Sequence, residues 1–176
     1  MFFYAPSFKE HFSTSISGRL TSAIAKNGFT LQSGIQDMSA MGQRAVGGLR
    51  DGDCFSILRT ITTEDVECFA AVSNEYNPMH VDVEQSSSRE YGGLTAHGLL
   101  TASLLNEVGG QIGWQATSMA FRFKSTVNVG DVLTCTWKII NIDEQGRALA
   151  EVSIHNAQQS VVLEAKTTGT ITKRQS

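Results

Sequence analysis

His97-Gly98-Leu99-Leu100-Thr101-Ala102-Ser103-Leu104-Leu105-Asn106-Glu107-Val108-Gly109-Gly110 is the stretch on which the fold turns. Wound at 3.6 residues per turn, Leu99, Leu100, Ala102, Leu104, Leu105 and Val108 fall nearly all the way round the cylinder. A helix that is apolar on every side belongs in an interior, not on a surface. The pattern predicts a buried helix from about Gly98 to Val108, capped by Thr95 and stopped by Gly109-Gly110. Downstream the period changes to two. Met119, Phe121 and Phe123 alternate with Arg122 and Lys124, and Leu133, Cys135, Trp137 and Ile139 with Thr134, Thr136 and Lys138. Ala148, Ala150, Val152 and Ile154 alternate with Arg147, Glu151 and Ser153, and Val161, Leu163 and Ala165 with Glu164 and Lys166. Turn signals at 128–131, 144–146 and 156–159 separate these half-buried strands. One apolar helix followed by a run of antiparallel strands predicts an α+β fold, a curved sheet wrapped around the helix.

Upstream, Asp53–Ile61 reads as a short strand. Thr62 or Thr63 followed by Glu64, Asp65 and Glu67 supplies a hydroxyl cap and acids for the first turn of a helix whose buried stripe is Val66, Phe69 and Ala70. From Ser73 to Ala96 no period is sustained, and Asn74, Asn77, Pro78, Ser86–Ser88, Gly92 and Gly93 mark a long irregular loop. A loop of that length inside a compact domain is a place to look for function.

The chain has 176 residues, 41% hydrophobic and 18% charged, with a net charge of -3, which fits one globular domain. It has no apolar run approaching the ~20 residues that cross a bilayer, and no basic field to attract nucleic acid. Cys54, Cys68 and Cys135 are irregularly spaced without a neighbouring histidine, so each reads as a small buried hydrophobe, not as part of a zinc site or disulfide framework.

Residues 1–50 have a different texture. Lys9, Arg19, Lys26, Arg44 and Arg50 face only Glu10 and Asp37, hydroxyls are dense, and Phe12, Ile16, Leu20, Ala23 and Ile24 form a weak helical stripe. Basic, hydroxyl-rich, acid-poor and amphipathic is the composition of an organellar transit peptide. The expected organisation is a mitochondrial targeting segment or disordered tail over 1–50 and a folded domain over 51–176, working in the matrix.

The chemistry is concentrated in Phe69-Ala-Ala-Val-Ser-Asn-Glu75-Tyr-Asn77-Pro78-Met-His80-Val-Asp82, followed by His97-Gly98-Leu99-Leu100. A phenylalanine-led helix end, an acid, x-Asn-Pro-x-His and then His-Gly opening a buried helix resembles the signature of the MaoC-like (R)-specific enoyl-thioester hydratases. The resemblance spans about residues 51–172. Phe121-x-Phe123 and Val129-Gly130-Asp131 agree with it, although Thr126 stands near the place of the usual proline.

The resemblance implies the hot dog fold, a homodimer with the site near the subunit interface, and an acyl-coenzyme A or acyl-carrier-protein thioester as substrate. It implies interconversion of trans-2-enoyl and (R)-3-hydroxyacyl thioesters, a reaction that asks for neither metal nor cofactor. By the same resemblance Glu75 and His80 hold and activate water, Asn77 shapes the loop, and Gly98 gives its backbone amide to the thioester oxygen. His97 stands beside Gly98 as a structural or pocket-lining residue. An imidazole suits proton shuttling, and a helix N-terminus suits developing negative charge. One position departs from the family: Glu75 stands where Asp is usual. The extra methylene moves the carboxylate by up to roughly 1.5 Å, which permits a non-catalytic acyl-binding subunit; a hot dog thioesterase, the other alternative, would share the fold and the acyl-thioester pocket without needing Asn-Pro-x-His.

Overall fold

The computed structural model describes residues 48–82, 84, 86 and 93–171. The targeting segment expected over 1–50 lies almost wholly outside them, as does much of the loop after Asp82.

Strand β1 (Cys54–Thr60) leads into helix α1 (Thr63–Ser73), a helical turn α2 (Pro78–Val81), the central helix in two segments, α3 (Gly98–Ala102) and α4 (Leu104–Ile112), and then β2 (Trp114–Phe123), β3 (Val132–Ile142), β4 (Arg147–Asn156) and β5 (Val161–Ile171). The strands form one five-stranded antiparallel sheet in the order β1-β3-β4-β5-β2. Its register explains the core. Phe55, Trp137, Val152, Ala165 and Phe121 lie in one row across all five strands, and Ile57, Cys135, Ile154, Leu163 and Phe123 in the next. Leu105 and Val108 of α4 are fully buried in the same cluster as Trp137, Ile139 and Leu163. The curved sheet around a buried helix predicted from the sequence is the fold observed.

Thr62 caps α1 in a reciprocal box. Its hydroxyl accepts from the Asp65 N–H at 3.1 Å, while the Asp65 carboxylate accepts from the Thr62 N–H at 2.9 Å. Arg59 of β1 ties this cap to the central helix through Asp65 at 2.8 Å and Glu107 at 3.1 Å.

Several expectations are corrected. The helix does not stop at Gly109-Gly110: both glycines lie inside α4, Ile112 beyond them is buried, and the stop is Gly113 in the left-handed region at φ 72°. Burying Ile112 outweighs the roughly 1 kcal/mol that a helical glycine forfeits. Thr95 is not the cap. His97 holds that position without a side-chain capping bond, and Thr95 pairs instead with Asn128. Leu99 is exposed, although Leu100, Thr101 and Ala102 of the same segment are buried, so α3 keeps one open face. In β2, Met119 and Phe121 are only half-buried and Phe123 is exposed, since this is an edge strand with β5 as its one neighbour in the sheet. The loop after Ser73 contains the turn α2, too short to show a period. Of the cysteines only Cys135 is buried; Cys54 sits on the outward, polar side of β1 and Cys68 on the exposed side of α1.

Candidate active site

The end of α1 sets the site up. Ser73 Oγ donates to the Phe69 carbonyl at 2.7 Å, Asn74 takes the left-handed conformation at φ 58°, and the Glu75 N–H donates back to Ser73 Oγ at 3.3 Å. The chain thus leaves the helix and starts again at Asn77, whose Oδ1 accepts from the Met79 N–H at 3.2 Å. Pro78, with φ preset for a helix and no N–H to leave unpaired, occupies the first position of α2. The Asn77 carbonyl accepts from the His80 N–H at 2.8 Å. Asn-Pro-x-His is therefore one capped turn that points His80 inward, where it is 7% exposed.

His80 Nδ1 lies 2.7 Å from the Thr95 carbonyl oxygen, which can only accept, so Nδ1 carries the hydrogen. Thr95 Oγ1, which donates to the Met79 carbonyl at 3.1 Å, lies 3.2 Å from the same nitrogen. Nε2 then presents its lone pair, 3.6 Å from Glu75 Oε1. Thr95 was not foreseen as part of the site. It comes to His80 through the pairing of 94–96 with 127–129, a long-range contact with no local signature.

Behind His80, the ring of His97 stacks at a centroid distance of 3.9 Å with 25° between planes, and Phe69 lies 5.1 Å away on the other ring contact. His97 is 1% exposed, and its Nε2 is 3.1 Å from the Glu75 carbonyl oxygen. Its Nδ1 is buried without a hydrogen-bond partner among the described residues.

Gly98, the first residue of α3, lies beside the ring of Phe123, where an added Cβ would come within 3.2 Å of Phe123 Cε1. The amides of this first turn have no partner within the helix. A cavity of about 410 Å³ opens onto His80, Gly98 and Thr101, walled by Met79, Phe123, Val127 and Val162. A larger groove of about 740 Å³ crosses the sheet around the Lys166–Glu151 ion pair and is lined by none of Glu75, Asn77, His80, His97 and Gly98. At the smaller space an oriented imidazole, a helix N-terminus and apolar walls meet. Among the described residues no group of three His, Cys, Asp or Glu side chains is arranged to hold a metal.

The structure thus brings Glu75, Asn77, His80, His97 and Gly98 to one place. His80 and Gly98 line the cavity, His97 lies behind His80, and the half-exposed Glu75 carboxylate reaches His80 Nε2 from outside the cavity's lining.

Comparison with known proteins gives the chain's family. Residues 54–162 match the model of the MaoC-like domain. The chain is 25% identical over 124 residues to the (R)-specific enoyl-CoA hydratase of Rhodospirillum rubrum, covering 68% of this chain and 86% of that protein. It is 29% identical over 85 residues to a mitochondrial 3-hydroxyacyl-[acyl-carrier-protein] dehydratase of Arabidopsis thaliana, covering 47% of this chain and 51% of that protein. The unliganded R-hydratase of Pseudomonas aeruginosa superposes with a TM-score of 0.70 at 21% identity, covering 73% of this chain and 86% of that one, which shows a shared hot dog fold. The chain, matched over more than half its length, belongs to the MaoC-like domain family.

Proposed function

We propose that the protein is a hydro-lyase that interconverts trans-2-enoyl and (R)-3-hydroxyacyl thioesters. The observation that carries this reading is the meeting of His80 Nε2 with the Glu75 carboxylate at 3.6 Å while Nδ1 is tied to the Thr95 carbonyl. Two acceptors facing each other at that distance can share the two hydrogens of one water molecule. The water oxygen then has its lone pairs free to attack. In the hydration direction, the water oxygen bonds to the β-carbon, its proton passes to the carboxylate or imidazole, and a proton is delivered to the α-carbon from the same pair. The negative charge that develops on the thioester oxygen is met by the first-turn amide at Gly98, where the missing side chain permits close approach. Asn77 acts through the turn that it caps. Dehydration is the same path in reverse.

The relatives' names support an acyl-thioester substrate on coenzyme A or on an acyl carrier protein. The basic, hydroxyl-rich residues 1–50 together with the mitochondrial relative support a targeting segment ahead of a folded domain and work in mitochondrial fatty-acid synthesis. A homodimer is part of the same reading. The open edge of β2 and the exposed apolar side chains Tyr76, Leu99 and Phe123 lie next to Glu75, Gly98 and the cavity, and a second copy covering them would close the site.

The test is loss of enoyl absorbance when the purified protein is mixed with crotonyl-coenzyme A, with chiral analysis of the product and His80→Ala as control. The (R)-3-hydroxybutyryl thioester formed by the parent and not by the variant is expected. Release of free thiol would point to a thioesterase instead, and tight binding without turnover to an acyl-binding subunit.

A further inference from the structure

The Glu75 peptide is held at both ends. Its N–H donates to Ser73 Oγ at 3.3 Å, a contact made within the same turn of chain. Its carbonyl accepts from His97 Nε2 at 3.1 Å, a contact made from the N-cap of α3, 22 residues further on. Because a carbonyl can only accept, Nε2 of His97 carries the hydrogen and Nδ1 the lone pair. That Nδ1 is buried and has no hydrogen-bond partner among the described residues. The face of the same ring lies flat on His80, 3.9 Å between centroids, and Phe69 backs it at 5.1 Å.

One ring therefore touches both members of the proposed water-holding pair without lining the cavity, its Nε2 bonded to the Glu75 carbonyl and its Nδ1 buried. We infer that His97 is a positioning residue: an Nε2-protonated imidazole that sets the Glu75 backbone against the plane of His80 and takes no proton in the reaction. This rests on the hydratase reading for its kinetic consequence but not for its geometry. The consequence follows from reach. Glu75 is half-exposed and its side chain has three rotatable bonds, so a backbone free to drift would spread the carboxylate over positions that differ by an ångström or more. A misplacement of that size costs on the order of 100-fold in rate.

Two variants separate the donor from the ring. His97→Phe keeps a flat ring to stack on His80 and removes the donor, whereas His97→Gln keeps an N–H near the Nε2 position and removes the ring. With crotonyl-coenzyme A, His97→Phe is expected to lose on the order of 100-fold in kcat, the cost of misplacing one partner, with little change in KM. His97→Gln is expected to recover most of that loss. A His97→Phe protein with parental kcat would overturn the inference. So would equal losses in the two variants with both folded, because the donor would then be irrelevant. Nitrogen-15 spectra of histidine-labelled full-length protein supply a readout independent of turnover. The His97 ring should show the Nε2-protonated pattern, and the His80 resonances should move in His97→Phe. An Nδ1-protonated His97 ring, or unmoved His80 resonances, would refute the inference. If the parent shows no hydratase activity, the functional reading fails while the nitrogen spectra still decide the role of His97.

Discussion

Gly98 lies against Phe123 so closely that a methyl group on its α-carbon would meet the ring edge at 3.2 Å. Its backbone is not in the left-handed region, so the glycine answers a need for space and not for conformation. Phe123 is 52% exposed on an edge strand and can swing aside. Gly98→Ala is therefore expected to fold with a melting temperature close to the parent's. Hydratase activity should nonetheless fall on the order of 100- to 1000-fold, the usual cost of a lost oxyanion donor. The double variant Gly98→Ala/Phe123→Ala discriminates. If the methyl blocks the thioester oxygen, removing Phe123 restores little. Recovery to near parental activity would show that the clash with Phe123, and not access to the amide, was at fault.

Glu75 raises the opposite question from its family's aspartate. Its peptide is fixed by Ser73 and His97, and from that anchor its Oε1 reaches to 3.6 Å from His80 Nε2. Shortening the side chain on the same anchor withdraws the carboxylate by up to roughly 1.5 Å. Glu75→Asp is expected to lower kcat on the order of 100-fold although it restores the residue usual in the family, and Glu75→Gln to lower it by about 100- to 10,000-fold. Steady-state kinetics with crotonyl-coenzyme A would check both. An aspartate variant as active as the parent would mean that the loop moves to suit its carboxylate.

How far the sequence spoke for this arrangement depended on the range of each contact. The sheet and the buried helix were legible because burial on one face of a strand, or on all sides of a helix, imprints a period on a dozen neighbouring residues. Glu75, Asn77, His80 and Gly98 were legible as a motif, and the capped turn from Asn77 to Val81 shows why its parts sit at those spacings. Thr95 was not. Its carbonyl orients His80 only because 94–96 pairs with 127–129, and no local pattern encodes that pairing. The same holds for the ends of the helix. Gly109-Gly110 looked like a stop, but the energy that continues the helix comes from burying Ile112 in the distant sheet. Cys54 and Cys68 misled for a related reason: an isolated small residue carries no period to say which face it is on.

The Arg59, Asp65 and Glu107 cluster makes stability depend on acid. Burial works to raise the Asp65 carboxyl, but the Thr62 amide and hydroxyl together with Arg59 outweigh it and hold the group below its ordinary value. A carboxyl lowered on folding adds stability that is present above its unfolded value, near 3.9, and is lost as the pH falls through the lower folded one. Asp65→Asn should therefore be less stable than the parent by about 1 kcal/mol at neutral pH, with the gap closing as the pH drops below the ordinary carboxylate range. Urea midpoints measured across that range test this. A gap that stays constant with pH would show that ionisation of Asp65 contributes nothing to the fold.

Burial, with a smaller contribution from nearby Glu107, pushes the Cys135 thiol up to about 12, whereas Cys54 and Cys68 are exposed. Since the thiolate is the nucleophile, Cys135 should resist alkylation in the folded protein. Maleimide at neutral pH is expected to add to Cys54 and Cys68 in native protein, with Cys135 reacting only after denaturation, as read by intact mass and peptide mapping. Native labelling of Cys135 would mean that β3 opens far more readily than a strand with Leu133, Trp137 and Ile139 fully buried should allow.

Two glycines place opposite demands on the fold. A Cβ on Gly169 of β5 would sit 2.6 Å from the Gln115 carbonyl oxygen and 2.6 Å from Trp114 Nε1, opposite the bulge between Ala116 and Ser118, so the backbone of β2 would have to move. At Gly110, inside α4, a Cβ meets nothing within 4 Å among the described residues. Gly169→Ala is expected to destabilise by about 1–3 kcal/mol, the range for overpacking, and Gly110→Ala to stabilise by about 0.8–1.0 kcal/mol, the helix-propensity difference. Thermal or urea unfolding of both would check the pair. A neutral Gly169→Ala would mean that β2 shifts on its edge and Trp114 repacks at no cost. Since Trp114 stacks edge-on against the fully buried Trp137 at 5.3 Å, such a shift could not leave the core unchanged.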